Sequence, residues 1–439
     1  MSNAIKTIKK ELGKSIQAVC NSDGRYFRNP EKDFCRNRKL TLEKMFKLLL
    51  CMSGKSLNNE LMDFFGCNTT TPSTSAFVQQ RAKILPEAFE ALFHNFNRRC
   101  IPQKLYKGFR LLAVDGSDLQ IPTNPDDIDS FFSGCNGQKP YNLLHLNALY
   151  DLCNHTYVDA FVQKRRSWNE HKALVAMAKR ACYDVPTLFI ADRGYESYNN
   201  MAHIQNLGAY FLFRIKDRTS GGIARGIALP QQDEFDVYLS LLLTRKQAAV
   251  SKNRGEKYLP HNVVFDFLPS HSKKNVPIEP FALSLRFVRF KISENSYEML
   301  LTNLPQDAFS IDDLKKLYAM RWGIETSFRH LKYSLGLLHF HSKKVGYILQ
   351  EIFAKLTMYN FAELITSLVV IKQNCRKLAY KANFSAAIHI CRDFLFKNVS
   401  PQSVEALISK HLLPFRPGRS APRKMVSSHK AVSFIYRLA

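Results

Sequence analysis

The chain has 439 residues, with 63 Lys and Arg against 37 Asp and Glu, a formal net charge of +26 and a sequence pI near 9.7. Hydrophobic residues make up 46% and aromatics 12%, enough to build packed cores, so a disordered polycation is excluded. At roughly 100–200 residues per domain the length predicts two to four structural units. The charge predicts a polyanionic partner, of which nucleic acid is the commonest because bound phosphates release counterions.

The first hundred residues read as helical. Thr41–Met52 forms a short helix, and Ser56 caps a second running through Leu61, Phe64 and Phe65. After the turn-rich Asn68–Ser75, Phe77, Arg81, Ile84, Leu85, Phe89, Leu92 and Phe93 recur at helical spacing, interrupted at Pro86. Thirteen Lys and Arg precede residue 60, which suits either DNA binding or a solvated basic bundle. From about residue 105, short apolar runs bounded by Gly, Asp and Pro mark strands at Phe109–Val114, Leu143–Leu149, Thr156–Phe161 and Thr187–Ala191, with a helical run at Leu174–Cys182. That alternation predicts a mixed α/β sheet. Residues 218–280 are irregular and rich in Gly, Pro and Lys. Phe281, Leu283, Leu285 and Phe287 then alternate with Ser284 and Arg286, which predicts a half-exposed strand, and a second strand covers Glu298–Asn303. Together these read as a β-rich insertion.

Past residue 310 the chain is helical again and ends in a basic tail with Arg416, Arg419, Arg423, Lys424 and Arg437. Ile352–Ile371 is the most apolar stretch, but Lys355, Asn360 and Glu363 interrupt it, so no membrane span is expected. Lys6, Lys9 and Lys10 precede no apolar core, so no signal peptide is expected either. The ten cysteines are scattered without a C-x-x-C pair, which predicts reduced thiols. His339 and His341 stand two apart, a spacing that on a helix points them to different faces and argues against a metal pair.

Two apolar runs end on an acid next to a glycine: Leu111–Val114 before Asp115-Gly116, and Leu188–Ala191 before Asp192-Arg193-Gly194. In each, a buried strand is expected to deliver a carboxylate to its end, where the glycine lets the backbone turn away and leaves an open site. Taken singly, an Asp beside a Gly is most often only a turn residue. The third acid lies on a helix. At about 100° per residue, Tyr318, Arg321, Glu325, Arg329 and Lys332 fall within about 80° of one another, while Met320, Ile324, Phe328, Leu331 and Leu335 form the neighbouring core stripe. Solvated i,i+4 salt bridges from Glu325 to Arg321 and Arg329 would explain such a face, but three cations around one acid suit phosphates better. Trp322 beside the stripe reads as core rather than as a stacking platform.

These elements together resemble the DDE transposases of the bacterial insertion-sequence-four family. Tyr318, Arg321, Glu325 and Lys332 match its Y-x2-R-x3-E-x6-K signature at every spacing, and both aspartates stand in order in the family's contexts, the second as Asp192-Arg193-Gly194-Tyr195. The Phe77–Arg81 segment, the long gap from Asp192 to Glu325 and the Arg416-Pro-Gly-Arg419 tail are also similar. The resemblance implies an α/β fold: a ribonuclease H-like catalytic core with a β-rich insertion, flanked by helical N-terminal and C-terminal regions. The expected layout is a helical DNA-binding region at 1–104, the core at 105–217, the insertion at 218–304, the core completed with the Glu-bearing helix at 305–370, and a basic helical region at 371–439.

By the same resemblance Asp115, Asp192 and Glu325 are the catalytic and metal-ligating triad, holding Mg²⁺ or Mn²⁺, two ions in all. Tyr318, Arg321 and Lys332 contact transposon-end phosphates, and Arg329, on the same face, is taken as a further DNA contact. The implied partners are double-stranded DNA, as terminal inverted repeats and as target, and a second copy of the chain in a homodimeric synaptic complex. The implied setting is the bacterial cytoplasm at the nucleoid, without a membrane. Relatives that cut the second strand through a DNA hairpin carry a tryptophan in the insertion. Here only Trp168 and Trp322 occur, both outside it, and Tyr297 is the nearest aromatic to the matching strand. An inactive or domesticated DNA-binding derivative and a ribonuclease H-like nuclease without joining activity are the alternative readings.

Overall fold

The structure is a computed structural model that describes residues 2–36, 38–100, 104–134, 137, 139–218, 221–246, 256–269, 279–294, 296–371, 378–397 and 399–415. The basic tail from Arg416 onward lies outside the described residues. Helices Ser2–Cys20 (α1), Leu42–Cys51 (α2), Leu57–Phe65 (α3), Thr74–Arg81 (α4) and Glu87–Arg99 (α5) open the chain. Thr41, Ser56 and Ser73 cap α2, α3 and α4, each hydroxyl accepting a backbone N–H three residues on.

Strands Arg110–Ile121 (β1), Phe131–Phe132 (β2), Tyr141–Asp151 (β3) and Thr156–Lys164 (β4) follow, then helix Glu170–Arg180 (α6), strand Thr187–Ala191 (β5), helix Tyr198–Asn206 (α7) and strand Tyr210–Ile215 (β6). The order β4-β3-β1-β5-β6 has antiparallel pairs on one side of β1 and parallel pairs on the other. In chain order of those strands this is 3-2-1-4-5, the arrangement of a ribonuclease H-like core.

Strands Phe235–Thr244 (β7), Glu256–Tyr258 (β8), Phe281–Ser293 (β9) and Ser296–Thr302 (β10) do not form a separate sheet. β10 pairs with β6, and β9, β7 and β8 add beyond it, so the core sheet continues outward. The region read as irregular therefore contains β7, whose signal was the alternation of Phe235, Val237, Leu239, Leu241 and Leu243. The half-exposed reading of β9 holds only at its start. Arg286 is 0% exposed because Asp236, diagonal to it on β7, takes two hydrogen bonds from its guanidinium at 2.8 and 2.7 Å and the Phe309 carbonyl takes a third at 2.8 Å.

The chain closes with helices Ile311–Met320 (α8) and Trp322–Arg329 (α9), a π-helical turn at His330–Ser334, helix Val345–Thr366 (α10), strand Ala379–Ala382 (β11), helices Phe384–Phe396 (α11) and Pro401–Lys410 (α12), and strand Leu412–Phe415 (β12). Alternation along the strands sorts the two cores. Leu111 and Ala113 of β1, with Leu188 and Ile190 of β5, join the core shared with α9, α10 and the N-terminal helices. Leu112, Val114, Phe189 and Ala191 join the opposite core, with α6 and α7. By the same alternation Asp115 projects to the α9 side.

The most apolar stretch became α10, a helix buried on nearly every side rather than a span. Among the described residues no helix is long and apolar enough to cross a membrane. Its buried polar groups have partners: Gln350 and Glu351 meet Arg81, Lys355 donates to the Met52 carbonyl, and Asn360 binds Asn97 and Tyr157. His341 lies outside any helix, its side chain fully buried, with Nδ1 3.0 Å from Glu351 Oε2. It serves as the partner of a buried carboxylate.

Candidate active site

β1 departs from expectation at Asp115. The strand does not end there but runs on to Ile121, with Asp115 opposite Ala148 and Gly116 opposite Asn147 of β3. What ends is the parallel pairing with β5, whose last pair is Ala113 with Ile190. Asp115 thus emerges just past the carboxyl end of the β1–β5 pair, where the sheet opens. Gly116 is needed for space rather than for a turn: a Cβ there would lie 2.3 Å from His145 Nε2 and 2.7 Å from Glu170 Oε1. Asp192 does follow a strand end, β5, and its carboxylate turns the chain by accepting the Gly194 N–H at 2.8 Å.

The third acid comes from α9. α8 begins in a capping box between Ser310 and Asp313 and runs almost continuously into α9, with Arg321 at the joint still in helical conformation. Ile324, Phe328, Leu331 and Leu335 are buried as expected, which leaves the neighbouring polar face turned toward Asp115 of β1. One pocket of about 480 Å³ is lined by all seven residues singled out from the sequence: Asp115, Asp192, Tyr318, Arg321, Glu325, Arg329 and Lys332. Arg193, Arg214 and Trp322 also line it, so five cations face three carboxylates.

Arg321 organises the floor. Its Nη2 is 2.8 Å from Glu325 Oε1 and its Nη1 3.9 Å from Asp115 Oδ2, and it is only 6% exposed, so this is not a solvated surface bridge. Burial pushes the Asp115 carboxyl up to about 6; the Gly116 N–H and Arg321 pull against that, while Asp192 and Glu325 reinforce it by repulsion. Burial also lowers the Lys332 ammonium, partly offset by Asp118, whose backbone carbonyl accepts from Lys332 Nζ at 3.0 Å.

Trp322 corrects the sequence reading. It is 52% exposed at the pocket rim rather than in the core, because it follows the joint at Arg321 and points away from the Ile324 stripe. Tyr297 on β10 packs on the Arg289 guanidinium, 3.9 Å from ring centroid to Cζ. Sequence reasoning also missed Asp118, His145 and Glu170, which form a chain of close polar contacts beside Gly116. Their only sequence signal was in the case of His145, an ionisable side chain within the apolar run Leu143–Leu149.

A ribonuclease H-like sheet gathers three carboxylates, from the middle of β1, from just past the end of β5 and from a late helix, into one acid-lined pocket under a rim of cations. Residues 106–361, more than half of the chain, match the family model described as the transposase DDE domain, and the chain belongs to that family. Among solved structures it is similar to a piggyBac transposase in a synaptic complex with hairpin DNA, at 10% identity and a TM-score of 0.43, over 94% of this chain and 84% of that one. No curated protein matches.

Proposed function

We propose that the protein is a DNA transposase of the insertion-sequence-four type, which cleaves element ends and joins them to target DNA. The observation that carries this reading is the convergence of Asp115, Asp192 and Glu325 with five cationic side chains in one pocket. The pocket's donor set fits a hard divalent cation, since its lining offers carboxylate oxygens and neither thiol nor imidazole. Among the described residues no three His, Cys, Asp or Glu side chains meet at one ion-sized point. Asp115, Asp192 and Glu325 would hold two Mg²⁺ or Mn²⁺. Such ions activate the attacking oxygen and stabilise the leaving one in an in-line displacement.

The chain's own residues do the rest. Arg321, Arg329 and Lys332, with the Tyr318 hydroxyl, hold the phosphates of the DNA end, which removes much of the entropy cost of alignment. In the first step water forms a bond to phosphorus, the bond to the 3′ oxygen breaks, and a free 3′-hydroxyl remains. In the second that hydroxyl forms a bond to a target phosphorus and displaces the target's own 3′ oxygen. Two copies of the chain, each holding one end, would act together.

Incubation with Mg²⁺, a terminal-repeat duplex and a target plasmid tests the reading. Cutting followed by joining is expected; binding alone, or cutting without joining, overturns it. End binding is also expected to weaken steeply with salt, roughly in proportion to the number of phosphates contacted, when followed by fluorescence anisotropy. Trp322→Ala is expected to weaken end binding by about 1–3 kcal/mol if the exposed indole stacks on a base, and an unchanged anisotropy titration would remove that role.

A further inference from the structure

Behind the pocket a second set of charges is locked together. His145 of β3 is 4% exposed, with Nδ1 2.6 Å from Asp118 Oδ1 and Nε2 2.9 Å from Glu170 Oε1. Because both ring nitrogens face carboxylate oxygens, both donate. Asp118 is held in turn by Arg165 Nε at 3.0 Å, and its backbone carbonyl receives Lys332. Glu170, the first residue of α6, thereby reaches the gap between the two aspartate segments. Its Oε1 would be 2.7 Å from a Cβ on Gly116, and its Oε2 3.9 Å from a Cβ on Gly194. The Tyr195 hydroxyl, buried and without a hydrogen-bond partner among the described residues, lies in the combined field of Glu170, Asp115 and Asp192.

We propose that Glu170, clamped by His145, is a positioning residue of the carboxylate pocket. It sets the separation of the Asp115 strand from the Asp192 turn and places a fourth negative charge behind them, which strengthens the pocket's hold on a divalent cation. The inference rests on the reading of the pocket as a carboxylate metal site. It also explains why Gly116 has no side chain: any Cβ would displace the carboxylate or the imidazole that holds it. Groups that orient or charge-balance metal ligands without binding the metal typically contribute 10–100-fold to affinity.

The test is Mn²⁺ titration of the full-length protein without DNA, read by the electron paramagnetic resonance of free Mn²⁺. Glu170→Gln, which keeps the shape and an acceptor for His145, is expected to weaken Mn²⁺ binding about tenfold while the thermal melt of the metal-free protein stays in place. A merely structural role would move the melt and leave the affinity of the folded fraction unchanged. Should Glu170→Gln fail to fold, Glu170→Asp keeps the charge but draws the carboxylate back from the Gly116 and Gly194 backbones, and a several-fold weaker affinity is expected there. Asp115→Asn serves as the reference. If it weakens binding while the Glu170 variants bind as the parent does, the positioning role is wrong and the pocket reading stands. If Asp115→Asn also binds as the parent does, the pocket reading fails and this inference falls with it.

Discussion

Asparagine at position 115 is expected to abolish cleavage of element ends while leaving their binding intact. Asn keeps the size of Asp and can still meet the Gly116 N–H, which Asp115 Oδ1 accepts at 2.9 Å, so β1 and its pairing with β3 should persist. What is lost is a charge in a buried place. The ions such a pocket would hold stabilise charge in the transition state by several kcal/mol, so the cleavage rate should fall on the order of 10³-fold or more. The cations that would grip phosphates, Arg329 and Lys332 among them, are untouched, so the anisotropy titration should match the parent's. Asp192→Asn and Glu325→Gln should behave alike, with one difference: Glu325→Gln weakens the 2.8 Å pair to Arg321 and frees a buried guanidinium to turn toward Asp115. A variant of any of the three that still cuts in Mg²⁺ would sink the assignment of that residue.

The second large effect concerns stability. Arg81 at the end of α4 is 1% exposed and donates from Nε to Gln350 Oε1 and from Nη1 to Glu351 Oε1, each at 2.9 Å, and from Nη2 to the Tyr347 carbonyl. It fastens the N-terminal helices to α10. Arg81→Met would remove the strongest of the charges that hold Glu351, itself 0% exposed, and leave His341 and Lys355 to balance it, so a loss of about 3–5 kcal/mol is expected as a lower urea midpoint. Adding Glu351→Gln to that variant should recover part of the loss, since the stranded charge is gone. A midpoint for Arg81→Met equal to the parent's would contradict this account.

The same carboxylate sets an acid limb. Burial alone would raise it, but Arg81 and His341 hold Glu351 down at about 2. A group whose pKa is depressed by folding contributes stability that is fully present above its unfolded value and is lost as pH falls toward the folded one. Stability should therefore drop between about pH 5 and pH 2, and the Glu351→Gln variant should show a shallower decline over that window in urea titrations.

How much of this was legible beforehand depended on distance along the chain. The face holding Tyr318, Arg321, Glu325, Arg329 and Lys332 follows from a helical period that repeats every few residues, and the structure keeps it across the joint at Arg321. The alternation of Leu111, Leu112, Ala113 and Val114 likewise placed β1 between two cores and turned Asp115 toward one of them. Misreadings arose where a neighbour far in sequence decides the matter. Arg286 looked solvent-facing until Asp236 and the Phe309 carbonyl covered it. Trp322 is a different case: the helical period itself sets it away from the Ile324 stripe, and it lies exposed at the pocket rim.

By itself, then, the sequence determined the period-set parts of this protein: the strands that lead to Asp115 and Asp192, the helix that carries Glu325, the order of those acids and the cation-rich face beside the last of them. Only the tertiary structure decided that Gly116 is glycine because His145 and Glu170 occupy the space beside it, and that Arg81 is spent on Glu351 rather than on DNA. Side-chain periodicity is a property of the local backbone and is written into neighbouring residues. A contact between residues 116 and 170, or 81 and 351, exists only after the sheet and helices have packed, and no local pattern carries it.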